Sequence, residues 1–226
     1  MKIYIFEPHP DDLLFGPGPI LLDWINEGHE IHVITITDGR ACYRSGQDIY
    51  SDDVAGMTED DVAEMRINEA KQAIEFLGIP QNHHHLLRFH DADGQKYVPE
   101  AIEKVKPLIK DAERLVFPSD NNSHVDHQAT HDIAVNAAKA LKLKDAEYFI
   151  YAIPSYVRFS EDSIKKQFNI KIGEEKAKQL MEWYQIYKSQ QKIKFTNKMY
   201  LSFLRNVRER TYAIFNYDDI GKYKNF

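Results

Sequence analysis

The chain has 226 residues, 43% hydrophobic and 28% charged, with a formal net charge of −6. That length supports one large core without staples, and the acidic balance lacks the Lys/Arg footprint of a nucleic-acid binder, so no nucleic-acid partner is expected. The single cysteine, Cys42, has no internal partner, and the opening apolar run is cut off by Glu7, too soon for a secretory or membrane-spanning segment; a cytoplasmic protein with no membrane partner is expected.

Residues 2–7 hold a near-continuous apolar run, Ile3, Tyr4, Ile5 and Phe6, which suits a strand buried on both faces of a parallel sheet. After Pro8-His9-Pro10-Asp11-Asp12 and a Gly/Pro stretch, Ile20, Leu21, Trp24 and Ile25 read as a helix that Gly28 stops. Residues 31–37 alternate β-branched side chains as a second strand, and Asp38-Gly39 opens a polar loop to about residue 57. Thr58 with Asp61 forms a capping signature for a helix carrying Val62, Met65, Ala70, Ala73, Ile74 and Leu77, ended by Gly78. The pattern then predicts a strand over 86–89, a helix over 101–112, a strand over 114–117, a helix over 126–141 and a strand over 148–153. Beyond these it predicts one helix over 174–190 and another over 198–208. Strands alternating with helices indicate an α/β fold, a three-layer sandwich around a mostly parallel, Rossmann-like sheet; the lack of linkers or repeats indicates a single domain over 1–226.

Two segments carry chemistry. Pro8-His9-Pro10-Asp11-Asp12 follows the first strand, where open α/β sheets gather ligands, and Pro10 stiffens the presentation of its neighbours. Taken alone, an aspartate there serves equally well as a helix cap. His124-Val125-Asp126-His127 opens the helix after the fourth strand, and residues three apart share a face, so both imidazoles can look into one pocket. Asp126 is placed to hold an imidazole. Alone, this segment also reads as a solvated polar helix start. Together the two segments sit on one sheet edge and offer two nitrogens, a carboxylate oxygen and an open position, the pattern of a catalytic zinc site.

These motifs resemble those of the LmbE-like N-acetylglucosaminyl deacetylases and their relatives, the N-acetylglucosaminylphosphatidylinositol de-N-acetylases. The HPDD motif stands here as His9-Pro10-Asp11-Asp12 and the HxDH motif as His124-Val125-Asp126-His127. The likeness extends through Glu27-Gly28-His29-Glu30, Thr35-Ile36-Thr37-Asp38-Gly39, Arg66 with Glu69, Leu77-Gly78, and more weakly Tyr187-Lys188-Ser189-Gln190. It covers residues 1 to about 140 well and the remainder thinly. One departure stands out: the family glutamate after the paired aspartates, and its glycine-rich turn, are replaced by Leu13, Leu14 and Phe15, then Pro17 and Pro19.

The resemblance implies metal ligation by His9, Asp12 and His127, by Zn2+ or, since no thiolate discriminates, by Fe2+ or another divalent ion. It implies Asp11 as general base, with His124, protonated and oriented by Asp126, stabilising the oxyanion or protonating the departing amine. It implies Arg66 at the substrate, although a solvated arginine paired with Glu69 or Asp61 fits the sequence nearly as well. Asp93 matches an acidic turn beside the substrate, with Asp91 as the alternative, and Arg40, with Tyr43 and Arg44, could recognise an acidic group. The expected substrate is a small N-acetylated amino sugar or conjugate, releasing acetate, in a monomer or homo-oligomer. A metal-dependent phosphoesterase would want further carboxylates and a second metal; a drifted sugar- or metal-binding module would not need Asp11 and His124. The run His83-His84-His85 reads as a polar connection, because consecutive residues do not converge on one ion, and His131 as a bystander on the helix of His127.

Overall fold

The computed structural model describes residues 1–44, 54, 56–120, 124–153 and 167–220. Strands β1 (Lys2–Glu7), β2 (Glu30–Thr37), β3 (His84–Phe89), β4 (Arg114–Pro118), β5 (Glu147–Tyr151), β6 (Gln167–Lys171) and β7 (Glu209–Phe215) form one sheet in the order β3-β2-β1-β4-β5-β7-β6. The first five strands are parallel, and β7 and β6 add an antiparallel margin. The chain runs outward from β1 through β2 to β3, then returns to lay β4 on the other side of β1. Such a reversal opens a crevice at the strand ends, and both sequence motifs leave the sheet there.

Eight α-helices complete the described layers: α1 (Asp12–Phe15), α2 (Gly18–Asn26), α3 (Glu59–Phe76), α4 (Gly94–Ile109), α5 (Val125–Leu141), α6 (Glu174–Tyr184), α7 (Lys188–Gln191) and α8 (Lys194–Asn206). Pleating sends alternate β1 side chains to opposite faces. Ile3 and Ile5 join a core with α1, α2, α3, α6 and α8, while Tyr4 and Phe6 join one with α4 and α5. The three-layer α/β arrangement is therefore as the sequence predicts. Among the described residues no helix is long and apolar enough to cross a membrane.

Several boundaries differ. β3 starts at His84, so His84 and His85 belong to the strand and only His83 to the connection, a 3-10 turn over Gln81–His83. α4 begins at Gly94, seven residues before the apolar spacing announces it, and carries Pro99 and Pro107 inside. The single helix expected over 174–190 is broken into α6 and α7, and α8 starts at Lys194. β6 and β7 went unread. In β6 the polar Asn169 and Lys171 face out beside only two half-buried apolar residues, and β7 opens on Glu209-Arg210, which reads as a helix end. Residues 45–53 of the predicted polar loop lie outside the described residues.

Candidate active site

The loop after β1 is wound tightly by its own backbone. The amides of Asp11 and Asp12 both donate to the His9 carbonyl, at 2.8 and 3.1 Å, and Gly16 N–H donates to Asp12 O at 2.8 Å, closing the one-turn α1. Thr37 latches the loop to β2, donating from backbone N and from Oγ1 to the Pro8 carbonyl at 2.9 Å each. Beneath lies Glu7, whose carboxylate accepts Leu13 N–H at 3.0 Å and Thr35 Oγ1–H at 2.6 Å. Burial pushes its pKa up to about 8. Asp11 precedes α1 but makes no side-chain cap; its carboxylate is turned to the cavity, and capping is not its role.

The second motif opens α5. His124 Nδ1 accepts Asp126 N–H at 3.3 Å, so the imidazole itself caps the helix. Asp126 is fully buried and accepts Ala92 N–H at 2.8 Å and Gly94 N–H at 2.7 Å. A Cβ on Gly94 would stand 2.5 Å from Asp126 Oδ1, so only glycine permits this approach. Its carboxylate is 3.6 Å from His124 Nδ1, beyond hydrogen-bond length, and 3.1 Å from His9 Nε2. Asp126 thus orients His9 more directly than the His124 that the sequence assigned to it.

The two motifs meet. His9 Nδ1 lies 2.9 Å from Asp12 Oδ2, and His127 Nε2 lies 3.3 Å from the same oxygen. His9 Nε2 stands between Asp126 Oδ2, at 3.1 Å, and Asp91 Oδ1, at 3.2 Å. His9, His124 and His127 present donor atoms within 4.8 Å of one another, as do His9, Asp91, His124 and Asp126. Burial favours neutral forms here, yet Asp91, Asp12 and Asp126 together hold His9 well above the ordinary histidine value. Burial likewise opposes charge on Asp12, but His127 and His9 keep its carboxyl far below the usual range. Burial, with His9 and His127, lowers His124 to about 4. Asp11 is raised by burial, against the pull of Arg66.

This donor set fits a divalent cation. Four buried carboxylates, Asp11, Asp12, Asp91 and Asp126, converge with Arg66 as their one buried permanent cation among the described residues. Both nitrogens of His9 face carboxylates, a setting that favours positive charge of the kind metal ligation would supply.

Arg66 is not solvated and pairs with neither Glu69 nor Asp61. It is 4% exposed and donates to Asp11 Oδ1 at 2.6 Å and to Gly39 O at 2.9 Å. Gly39 has φ 70°, and a Cβ there would lie 2.3 Å from Arg66 Nη1, so a side chain would be strained and would displace the guanidinium. Glu69 instead accepts Ser189 N–H at 2.7 Å and Oγ–H at 2.5 Å, so the weak late match Tyr187–Gln190 docks on the helix of Arg66.

Two of the expected substrate residues stand elsewhere. Asp93 precedes α4 and pairs with Lys96 at 2.6 Å, outside the cavity; Asp91, 4% exposed and held by Ala41 N–H at 3.0 Å, faces it. The left-handed turn at Ala92, φ 68°, is what sends these two carboxylates apart. Arg40 is fastened to Asp38 at 2.8 Å and to Asp60 at 2.9 Å and does not line the cavity, whereas Arg44 does. His131 points away, edge-on to Phe117. At the far edge of the sheet, His83 joins Glu30 and His32 within 4.8 Å. The His32 and His83 rings are stacked at 4.0 Å and 17°, however, so their in-plane lone pairs run side by side instead of converging.

The cavity over the motifs holds about 600 Å³ and is also lined by Ile153, Gln190, Phe195, Thr196, Met199 and Tyr200. Sequence reading missed this wall; the aromatic density of the tail was its only signal. Leu13, Leu14 and Phe15 are buried at 1, 0 and 0% exposure, and Phe15 stacks on Tyr200 at 3.6 Å, so the apolar departure after Asp12 is the seat of α8.

The sequence profile of the GlcNAc-PI de-N-acetylase family matches residues 4–138. No curated protein matches the chain significantly. Among solved structures, a deacetylase of teicoplanin biosynthesis is 18% identical with a TM-score of 0.69, over 95% of this chain and 97% of its own. The A40926 pseudoaglycone deacetylase Dbv21 is 19% identical with a TM-score of 0.69, over 96% and 98%. The N,N'-diacetylchitobiose deacetylase from Pyrococcus horikoshii is 18% identical with a TM-score of 0.65, over 96% and 85%. At such identities these likenesses establish the fold. The family match establishes more: the chain belongs to the GlcNAc-PI de-N-acetylase family.

Proposed function

We propose that this member of the GlcNAc-PI de-N-acetylase family is a divalent-metal-dependent hydrolase that removes the acetyl group from a small N-acetylated amino sugar, giving acetate and a free amine. The observation that carries the reading is the convergence of His9, Asp12, His124 and His127 with Asp11 at the β1/β4 reversal. His9, Asp12 and His127 hold the metal in this reading. When bound, the cation polarises the acetamide carbonyl and lowers the pKa of water beside it.

Asp11 accepts the proton of the attacking water, with its carboxylate fixed by Arg66 at 2.6 Å. His124, expected from the sequence to be protonated, is held neutral by burial. It accepts the Asp126 amide on Nδ1 at 3.3 Å and keeps its Nε2–H for the oxygen on which negative charge develops, while the proton that Asp11 took from water passes to the leaving nitrogen. Asp126 orients His9. Asp91 takes over from Asp93 as the carboxylate that receives sugar hydroxyls, and Arg66 acts through Asp11. Both cores share the one sheet, so residues 1–226 act as a single domain. Zinc is the first metal to test, over a range of concentrations because one structure of the teicoplanin deacetylase is of a zinc-inhibited form; iron is the second.

The test is an acetate-release screen over N-acetylated amino sugars with zinc, iron and chelator arms. Acetate is expected in a metal arm and not with chelator, with Asp11→Asn lowering kcat by about 100-fold or more while metal content holds. Full activity in chelator, or in Asp11→Asn, would sink the proposal.

A further inference from the structure

The two sides of the catalytic cavity are chemically unlike. Its floor is carboxylates, imidazoles and Arg66, while the wall from α8 and the segment just after β5 is mostly apolar, with Ile153, Phe195, Met199 and Tyr200 beside Gln190 and Thr196. Volume alone does not distinguish substrates, because about 600 Å³ is ordinary for a small-molecule site. Exposure does. Phe195 is 70% exposed, whereas the other exposed large hydrophobics among the described residues, Met1, Phe76 and Val125, lie between 41 and 43%. A lone exposed apolar residue needs no explanation, but one that continues an apolar cavity wall marks a contact surface.

The wall is built, not incidental. Phe195 and Met199 are four apart on α8 and share one face. The opposite side of the helix is committed to the core through Leu204, at 3% exposure, and Tyr200, which also lines the cavity, anchors the helix by stacking on Phe15 at 3.6 Å. Asn197 accepts from Tyr184 O–H at 2.8 Å, a second tie. Phe15 ends the same one-turn helix that Asp12 begins, so the apolar wall and a proposed metal ligand are fixed to one element.

We propose that the amino sugar enters this site carrying an apolar aglycone, aryl or short alkyl, that packs on Phe195 and Met199. The inference rests on the deacetylation reading and names its substrate class. The glycosidic position is chosen by chemistry: of the two carbons bonded to the one bearing the reacting amide, C1 is the anomeric carbon that carries an aglycone, and it adjoins that amide as the wall adjoins the floor. A hydroxylated second sugar fits less well, because hydroxyls desolvated against Ile153, Phe195 and Met199 find no hydrogen-bond partner in them, which leaves Gln190, Thr196 and Tyr200 as the polar side chains of that wall.

The experiment compares the methyl and phenyl β-glycosides of N-acetylglucosamine on the metal-loaded enzyme. The phenyl glycoside is expected to show about tenfold higher kcat/KM, expressed in KM, as covering one aromatic face provides. In Phe195→Ala the phenyl-to-methyl ratio falls towards one, and in Phe195→Leu, which keeps an apolar surface, most of it returns. A ratio near one in the native enzyme, or one that Phe195→Ala leaves intact, overturns the proposal. If neither glycoside yields acetate, the deacetylation reading falls separately. The subsite is then decided by calorimetric binding: tighter phenyl than methyl binding that Phe195→Ala abolishes upholds it, and equal binding overturns it.

Discussion

The part of the chain up to the end of α5 and the part after it build opposite sides of one cavity by different means. The first supplies His9, Asp11, Asp12, Arg66, Asp91, His124 and His127, each delivered by a loop or helix at the carboxyl edge of the parallel strands. The second supplies Phe195, Met199 and Tyr200 from α8, held by aromatic packing on Phe15 and Tyr184. Chemistry in this fold sits on short motifs whose geometry is mostly local. The wall that selects what enters is assembled from contacts between residues far apart in sequence. Leu13, Leu14 and Phe15 join the two parts, being an apolar extension of the metal motif that serves as floor for the wall.

That division can be broken first where it is sharpest. His127→Ala removes a proposed ligand, and acetate release is expected to fall by more than the roughly 100-fold typical of outer-shell losses, with bound metal lost by elemental analysis. Retained metal and rate would dissolve the distinction between floor and wall. Next, Phe15→Ala strips the stack under α8 from a residue of 0% exposure, and urea unfolding is expected to report a loss of about 3–5 kcal/mol. A change under about 1 kcal/mol would show that α8 is not seated there.

A smaller effect concerns Glu7. Its folded pKa of about 8 exceeds the ordinary 4.5, so between those values the folded state keeps a proton that the unfolded chain has released. Stability of the chelated protein should therefore decline as pH rises from about 5 to 8, and Glu7→Gln should flatten that slope. Parallel pH profiles for the two proteins would refute it. The least effect is expected from Arg40→Gln: its guanidinium is occupied by Asp38 and Asp60, so stability should move by no more than about 1 kcal/mol, and kcat/KM should stay close to the native value. A tenfold loss in kcat/KM would return Arg40 to the substrate.

Much of the site was legible because its signals are short-range. His9 to Asp12 and His124 to His127 each fall within one turn, and the β1 and β4 patterns that carry them are near-continuous apolar runs. What failed turned on single torsions or distant partners. Asp93 and Asp91 are two residues apart, and only the left-handed Ala92 decides which one enters the cavity. Arg66 chose Asp11 over its helix neighbours because both are buried and meet at 2.6 Å, and Arg66 is the largest of the favourable charges on that carboxylate. Asp126 faces His9 more closely than His124, a preference set by the Ala92 and Gly94 amides that hold it.

By itself, then, the sequence determined the α/β class, the order of the first five strands' elements and the identity of the converging histidines and aspartates, since hydrophobic period and motif spacing are properties of neighbours in the chain. The tertiary structure decided that β7 and β6 extend the sheet antiparallel, that Glu69 receives Ser189, that Asp91 and not Asp93 faces the cavity, and that α8 closes it with Phe195 and Met199. Those outcomes depend on which surfaces find each other when the apolar area is buried, and no local pattern encodes that choice.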